Sequence, residues 1–154
     1  MLSDAERDEI EAELSHLHDR RSVCIDALRI VQHHRRWVSD EALEDVAQFL
    51  GMSEADLDGV ATFYNRIYRQ PVGRNVIVLC DSVTCYILGQ EALQAELERR
   101  LGCRLGETSA DGEFTLLPTQ CLGCCDRGPA LMVGPDLHVE VADVDAVLAP
   151  YREA

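Results

Sequence analysis

Asn75-Val76-Ile77-Val78-Leu79-Cys80-Asp81-Ser82-Val83-Thr84-Cys85 is the stretch on which the reading of this chain turns. Its first half is a short apolar run rich in β-branched residues, the signature of a strand buried on both faces. It ends in a C-x4-C pair. Downstream, Ile87, Leu88, Leu93, Leu97 and Leu101 lie at helical spacing and stop at Gly102. Phe114-Thr115-Leu116-Leu117, introduced by Asp111-Gly112, predicts a second strand. Ala130-Leu131-Met132-Val133 and Leu137-His138-Val139-Glu140-Val141 predict two more, around the turn Gly134-Pro135-Asp136, and Val144, Val147 and Leu148 close with a helix. The order strand, helix, strand, strand, strand, helix suits one sheet with helices packed on it, an α/β layer of thioredoxin-like size.

Upstream of Pro71-Val72-Gly73, a linker signal, the texture is helical. Ser3 with Glu6 forms a capping box ahead of Ile10, Leu14 and Leu17 on one face. A second helix runs from about Arg20 to His34 with Val23, Ala27, Ile30 and Val31. Ser39 caps a third, which buries Leu43, Val46, Ala47 and Leu50 and stops at Gly51, and Ser53 opens a fourth through Leu57 and Val60. The expected organisation is a helical bundle over residues 1–72 and an α/β domain over residues 73–154.

The 154 residues carry 28 acidic and 14 basic side chains, a formal net charge of −14. Such a surface excludes a phosphate-tracking nucleic-acid binder and disfavours an anionic membrane. A basic or mixed-charge protein partner fits it better. Every apolar run is far shorter than a bilayer requires. The acidic start Met1-Leu2-Ser3-Asp4-Ala5-Glu6 resembles neither a secretory core nor an Arg-rich transit peptide, which predicts residence in the bacterial cytoplasm. In that reducing compartment seven cysteines are metal-ligand candidates before they are disulfide candidates.

Cys80 and Cys85 follow the first strand, and Cys121, Cys124 and Cys125 follow the second. Loops leaving the same edge of a sheet are neighbours, so the two groups can converge. Gly123 and Gly128 allow the close backbone approach and unusual dihedrals such a loop needs, and backbone N–H groups aimed at sulfur would stabilise its charge. C-x4-C is also the opening spacing of plant-type [2Fe–2S] ferredoxins, although the C-x2-C that follows there is missing. Cys121 makes C-x2-C with Cys124 and C-x3-C with Cys125, and periodicity does not choose between them.

From Cys80 to Cys85, and from Phe114 through Gln120-Cys121-Leu122-Gly123-Cys124-Cys125-Asp126-Arg127-Gly128-Pro129, the chain closely resembles the E subunit of bacterial NADH:quinone oxidoreductase, respiratory complex I. Gly59-Val60-Ala61-Thr62-Phe63-Tyr64, Gly106-Glu107-Thr108 and Asp111-Gly112 extend the resemblance. It implies an N-terminal helical bundle followed by a thioredoxin-like [2Fe–2S] ferredoxin domain. It also implies one [2Fe–2S] cluster on Cys80, Cys85, Cys121 and Cys125, with Cys124 a spare thiol at a place where the family more often has a small or polar residue. Neither a G-x-G-x-x-G after a strand nor a phosphate-binding G-x-x-x-x-G-K-[ST] is present. NADH and FMN are accordingly expected on a partner, which the resemblance implies is the NADH-binding flavoprotein, or F subunit, of complex I. The complex would lie peripheral to the inner membrane, with this chain among the subunits of its peripheral arm. The equivalent subunit of an NAD-linked hydrogenase or formate dehydrogenase would share these features.

Two readings of another class stand beside this one: a zinc-stabilised interaction module on the same thiols, and a thioredoxin-like disulfide reductase using Cys121 and Cys124. The latter is weakened because thioredoxins place C-x-x-C after the first strand, where this chain has C-x4-C. Cys24 and Cys103 read as packing residues, His33 and His34 as a solvated helix end or partner contact, and Phe63 and Tyr64 as core or domain-contact residues. His16, His18 and His138 carry no partner pattern, and the acidic run from Glu6 to Glu13 reads as a solvated face.

Overall fold

A computed structural model describes residues 1–15 and 19–152; Leu17, expected on the first helical face, lies outside them with His16 and His18. The chain forms two compact units, Met1–Pro71 and Val72–Ala154.

The first unit is built from α1 (Asp4–Leu14), a 3-10 turn (Arg20–Val23), α2 (Cys24–Arg35), α3 (Asp40–Leu50) and α4 (Glu54–Phe63). The predicted second helix thus starts as a tighter 3-10 turn, capped by Asp19. Ser3, Ser39 and Ser53 each accept a hydrogen bond from the backbone N–H three residues on, and Ser3 and Glu6 complete the capping box. Gly51 ends α3 with φ +70°, while Arg36 ends α2 in the same left-handed region at φ +74°. Ile10, Leu28, Val31, Val46 and Leu57 fill the core, with Cys24 packed at its margin. After α4 the chain is stitched back: Gln32 bonds the Arg66 carbonyl and the Tyr68 N–H, and the Arg69 guanidinium pairs with Asp40 at 2.6 Å and Asp58 at 3.0 Å.

One expectation fails in this unit and another is narrowed. Glu6 is not solvated: it is 1% exposed, and Arg35 clamps its two oxygens at 2.6 and 2.7 Å. The capping box turns this carboxylate inward, where the guanidinium compensates its lost hydration. Phe63 is 80% exposed and Tyr64 43%, so neither is a core residue. His34 pairs with Glu9 at 2.9 Å.

The second unit holds a four-stranded sheet in the order β2-β1-β3-β4. The strands are β1 (Asn75–Cys80), β2 (Phe114–Thr119), β3 (Leu131–Val133) and β4 (Asp136–His138), with helices α5 (Val83–Ile87), α6 (Gln90–Leu101) and α7 (Val144–Arg152). β1 is flanked on both sides and buried from Val76 to Cys80, as its unbroken apolar run requires. It pairs in parallel with β2 and antiparallel with β3. β2 runs on through Pro118, which an edge strand tolerates because its missing N–H leaves no ladder bond unmade. The expected single helix after Cys85 is two helices, broken at Gly89 with φ +102°. Ile87 and Leu88 fall before the break and are exposed, whereas Leu93, Leu97 and Leu101 pack on Ile77, Leu79, Leu116 and Leu131. Cys103 belongs to this core.

Candidate metal centre

Sheet register decides where the cysteines go. Cys80 and Thr119, the last residues of β1 and β2, face one another across a parallel pair, so both strands release their loops at one edge. Asp81 N donates to the Thr119 carbonyl at 3.1 Å, and Cys80 N to the Ala130 carbonyl at 3.1 Å. The second bond brings the chain after Cys125 back to the same edge before it enters β3.

The four expected residues are found there. Cys80 ends β1 and Cys85 lies within α5, both buried; Cys121 is exposed in the loop after β2, and Cys125 opens a 3-10 turn half-buried. They fall into two pairs. The Cys121 and Cys125 sulfurs are 3.2 Å apart. Cys80 and Cys85 are buried together in one small cluster with Ala130. Among the described residues no group of three or more His, Cys, Asp or Glu side chains surrounds a single ion position.

Within each pair one sulfur ionises first. Burial opposes charge on Cys80, but the Ser82 hydroxyl and N–H groups of Ser82 and Leu122 outweigh it and hold the thiol below its ordinary value. Burial, together with the neighbouring Cys80, pushes the Cys85 thiol up. Cys121 is drawn down by the hydrogen bond from Cys125 and by the Gly123 N–H, 3.4 Å from its sulfur. Cys125 is pushed up in turn by Cys121. Donors thus already point at sulfur, as thiolate ligands need.

The loops close tightly around these sulfurs. Gly123 takes φ +82°, which its lack of Cβ permits. Gly128 has ordinary dihedrals and is required for space instead: a Cβ there would stand 2.9 Å from Leu88 Cδ1 and 3.3 Å from Cys85 Sγ. Four thiols in two pairs at one sheet edge, with N–H donors beside them in a cradle that a Cβ would fill, fit a binuclear iron–sulfur group with two thiolates per iron. Cys124 is buried in one cluster with Cys80, Cys85 and Ala130, while Cys121 stays exposed.

Two groups carry no motif in the sequence. The Ser82 hydroxyl lies 3.2 Å from Cys80 Sγ. Away from this edge, the Tyr151 hydroxyl donates to Asp136 at 2.7 Å and meets His138 Nε2 at 3.1 Å, tying α7 to β4; partial burial and the carboxylate push the tyrosine up to about 12. No local spacing joins residues on a strand to one a helix later.

Comparison with known proteins gives a consistent picture. Residues 10–152 match the thioredoxin-like [2Fe-2S] ferredoxin family. The E subunit of NADH-quinone oxidoreductase in Pseudomonas aeruginosa is 51% identical over 141 residues, 92% of this chain and 85% of the relative. The protein of the same name in Escherichia coli K12 is 52% identical over 140 residues, 91% of this chain and 84% of the relative. Among solved structures, the air-oxidised NAD+-reducing [NiFe]-hydrogenase superposes with a TM-score of 0.71 at 21% identity, over 89% of this chain and 24% of that one. That likeness is one of fold.

Proposed function

The chain belongs to the thioredoxin-like [2Fe–2S] ferredoxin family, and from that premise we propose that Cys80, Cys85, Cys121 and Cys125 hold one [2Fe–2S] cluster in a subunit of an NADH:quinone oxidoreductase, exchanging single electrons with the FMN of an NADH-binding flavoprotein partner. The observation that carries this reading is the parallel register that delivers two pairs of thiols to one sheet edge. The relatives from NADH-quinone oxidoreductases, alike over most of both chains, supply the complex.

Bound there, the cluster supplies a one-electron couple with no proton acceptor of its own. This chain's residues do the rest. Cys80 and Cys85 would hold one iron from the buried side, and Cys121 and Cys125 the other from the exposed side. N–H groups of Leu122, Gly123 and Ala130 offset negative charge on the sulfurs, which matters on a chain of net charge −14. The exposed side of the site, at Cys121, is where an electron partner can come near. No described helix is long and apolar enough to cross a membrane, so attachment would come through partner subunits of the peripheral arm.

Disulfide reduction fits the geometry poorly. Its dithiol would be Cys121 with Cys124, but the sulfur beside Cys121, at 3.2 Å, is that of Cys125, and Cys124 is grouped with Cys80 and Cys85 instead. Zinc asks for four ligands around one point, whereas these thiols stand in two pairs.

NADH-driven reduction of the purified complex tests the assignment. NADH should elicit an EPR signal from this chain that disappears when FMN is stripped from the partner. A complex that oxidises NADH while this chain stays silent under both NADH and dithionite would overturn it.

A further inference from the structure

Among the described residues, Ser3, Ser39, Ser53 and Ser82 each stand at the N-cap of a helix. The first three behave alike, each turning its hydroxyl to accept from a backbone N–H of its own first turn. Ser82 has the extended backbone of an N-cap, φ −70° and ψ 157°, yet makes no side-chain cap bond. Its hydroxyl points backwards instead and lies 3.2 Å from Cys80 Sγ. α5 therefore begins uncapped by the residue placed to cap it, and the hydroxyl is spent on sulfur.

We propose that the Ser82 hydroxyl donates a hydrogen bond to the Cys80 sulfur and so raises the reduction potential of the cluster. The proposal rests on the assignment of Cys80 as a ligand. A thiolate has no proton to give, so the hydroxyl must be the donor once iron is bound. An added electron increases negative charge on the sulfurs, and a donor aimed at them stabilises the reduced form more than the oxidised one. The step is a transfer of one electron, from the flavoprotein partner or from dithionite in the test; the proton stays on the serine oxygen and no bond is made or broken. Ser82 is a positioning residue in this scheme: it touches a ligand, not the irons.

An EPR-monitored potentiometric titration of the full chain, anaerobically loaded, is the test. Ser82→Thr keeps the hydroxyl, Ser82→Val replaces it by a methyl of nearly the same shape, and Ser82→Ala removes it. The threonine variant should titrate with the natural protein. The valine and alanine variants should shift to lower potential, with a reduced-to-oxidised ratio lower by about tenfold at the poise that half-reduces the natural protein, equivalent to about 59 mV. A merely structural role for Ser82 would change unfolding without moving this ratio. Unchanged potentials in fully loaded valine and alanine variants would overturn the proposal and leave the ligand assignment intact. Failure of the valine variant alone to load would also overturn it, making the hydroxyl a structural tie. Absence of iron and sulfide from the natural protein would instead defeat the assignment beneath it.

Discussion

Cys80 and Thr119 are register partners at the C-terminal ends of two parallel strands. Because parallel strands point the same way, this one pairing brings Cys85, at the start of α5, and Cys121, in the loop after β2, to the same sheet edge although they are 36 residues apart in the chain. Two antiparallel strands with tight turns would have separated them. The backbone bond from Cys80 to Ala130 then brings back the segment that carries Cys125.

Of the two adjacent thiols, Cys125 stands 3.2 Å from Cys121 and Cys124 is buried beside Cys80 and Cys85. Cys125→Ala should lose or badly distort the low-temperature EPR signal of the dithionite-reduced protein, and Cys124→Ala should keep it. The opposite result would make Cys124 the fourth ligand.

A Cβ at Gly128 would stand 3.3 Å from Cys85 Sγ, closer than an ordinary contact, so a side chain there presses on that sulfur. Leu88, half-exposed, can swing aside, but a ligated sulfur cannot. Gly128→Val should speed loss of visible absorbance under an iron chelator by roughly tenfold. Adding Leu88→Ala should recover only part of that loss, because the contact with sulfur remains.

Glu6 is held at about 2, far below its ordinary 4.5, chiefly by its hydrogen bonds with Arg35. A carboxylate depressed in this way contributes stability above its unfolded value, and the contribution is lost as pH falls through the folded one. At neutral pH the shift corresponds to about 3 kcal/mol. Glu6→Gln should lower urea stability of the helical unit by about 2 to 3 kcal/mol at pH 7, followed by far-UV circular dichroism. The gap between variant and natural protein should narrow as pH falls from 4.5 toward 2.

Gly73 meets the backbone of β2: a Cβ would stand 2.8 Å from the Phe114 carbonyl carbon and 2.9 Å from its nitrogen. Main chain fixed in a sheet cannot yield as a side-chain tip can. Gly73→Ala should therefore cost about 1 to 3 kcal/mol, read by denaturant unfolding.

Local signals were legible in the sequence where local physics decides them. The capping serines at 3, 39 and 53, the stop at Gly51 and the buried run of β1 are where their spacing places them. Misreadings arise where a distant partner wins. Glu6 reads as one acid among several until Arg35, from another helix, buries it. Ile87 and Leu88 continue an apolar period that Gly89 cuts, which leaves them outside. Arg36 ends α2 in a conformation more often taken by glycine. At the site, the spacings Cys80 to Cys85 and Cys121 to Cys125 mark the candidates, but the tilt of Cys124 into the core and the turn of Ser82 toward sulfur depend on sheet register. No window of sequence contains that register.

Native mass spectrometry of the anaerobically purified chain tests the central claim most directly. The natural protein should exceed its polypeptide mass by two irons and two sulfides. The excess should disappear when Cys80 and Cys121 are both replaced by alanine. A natural protein with one zinc, with no metal, or with iron that survives that double replacement would contradict the account.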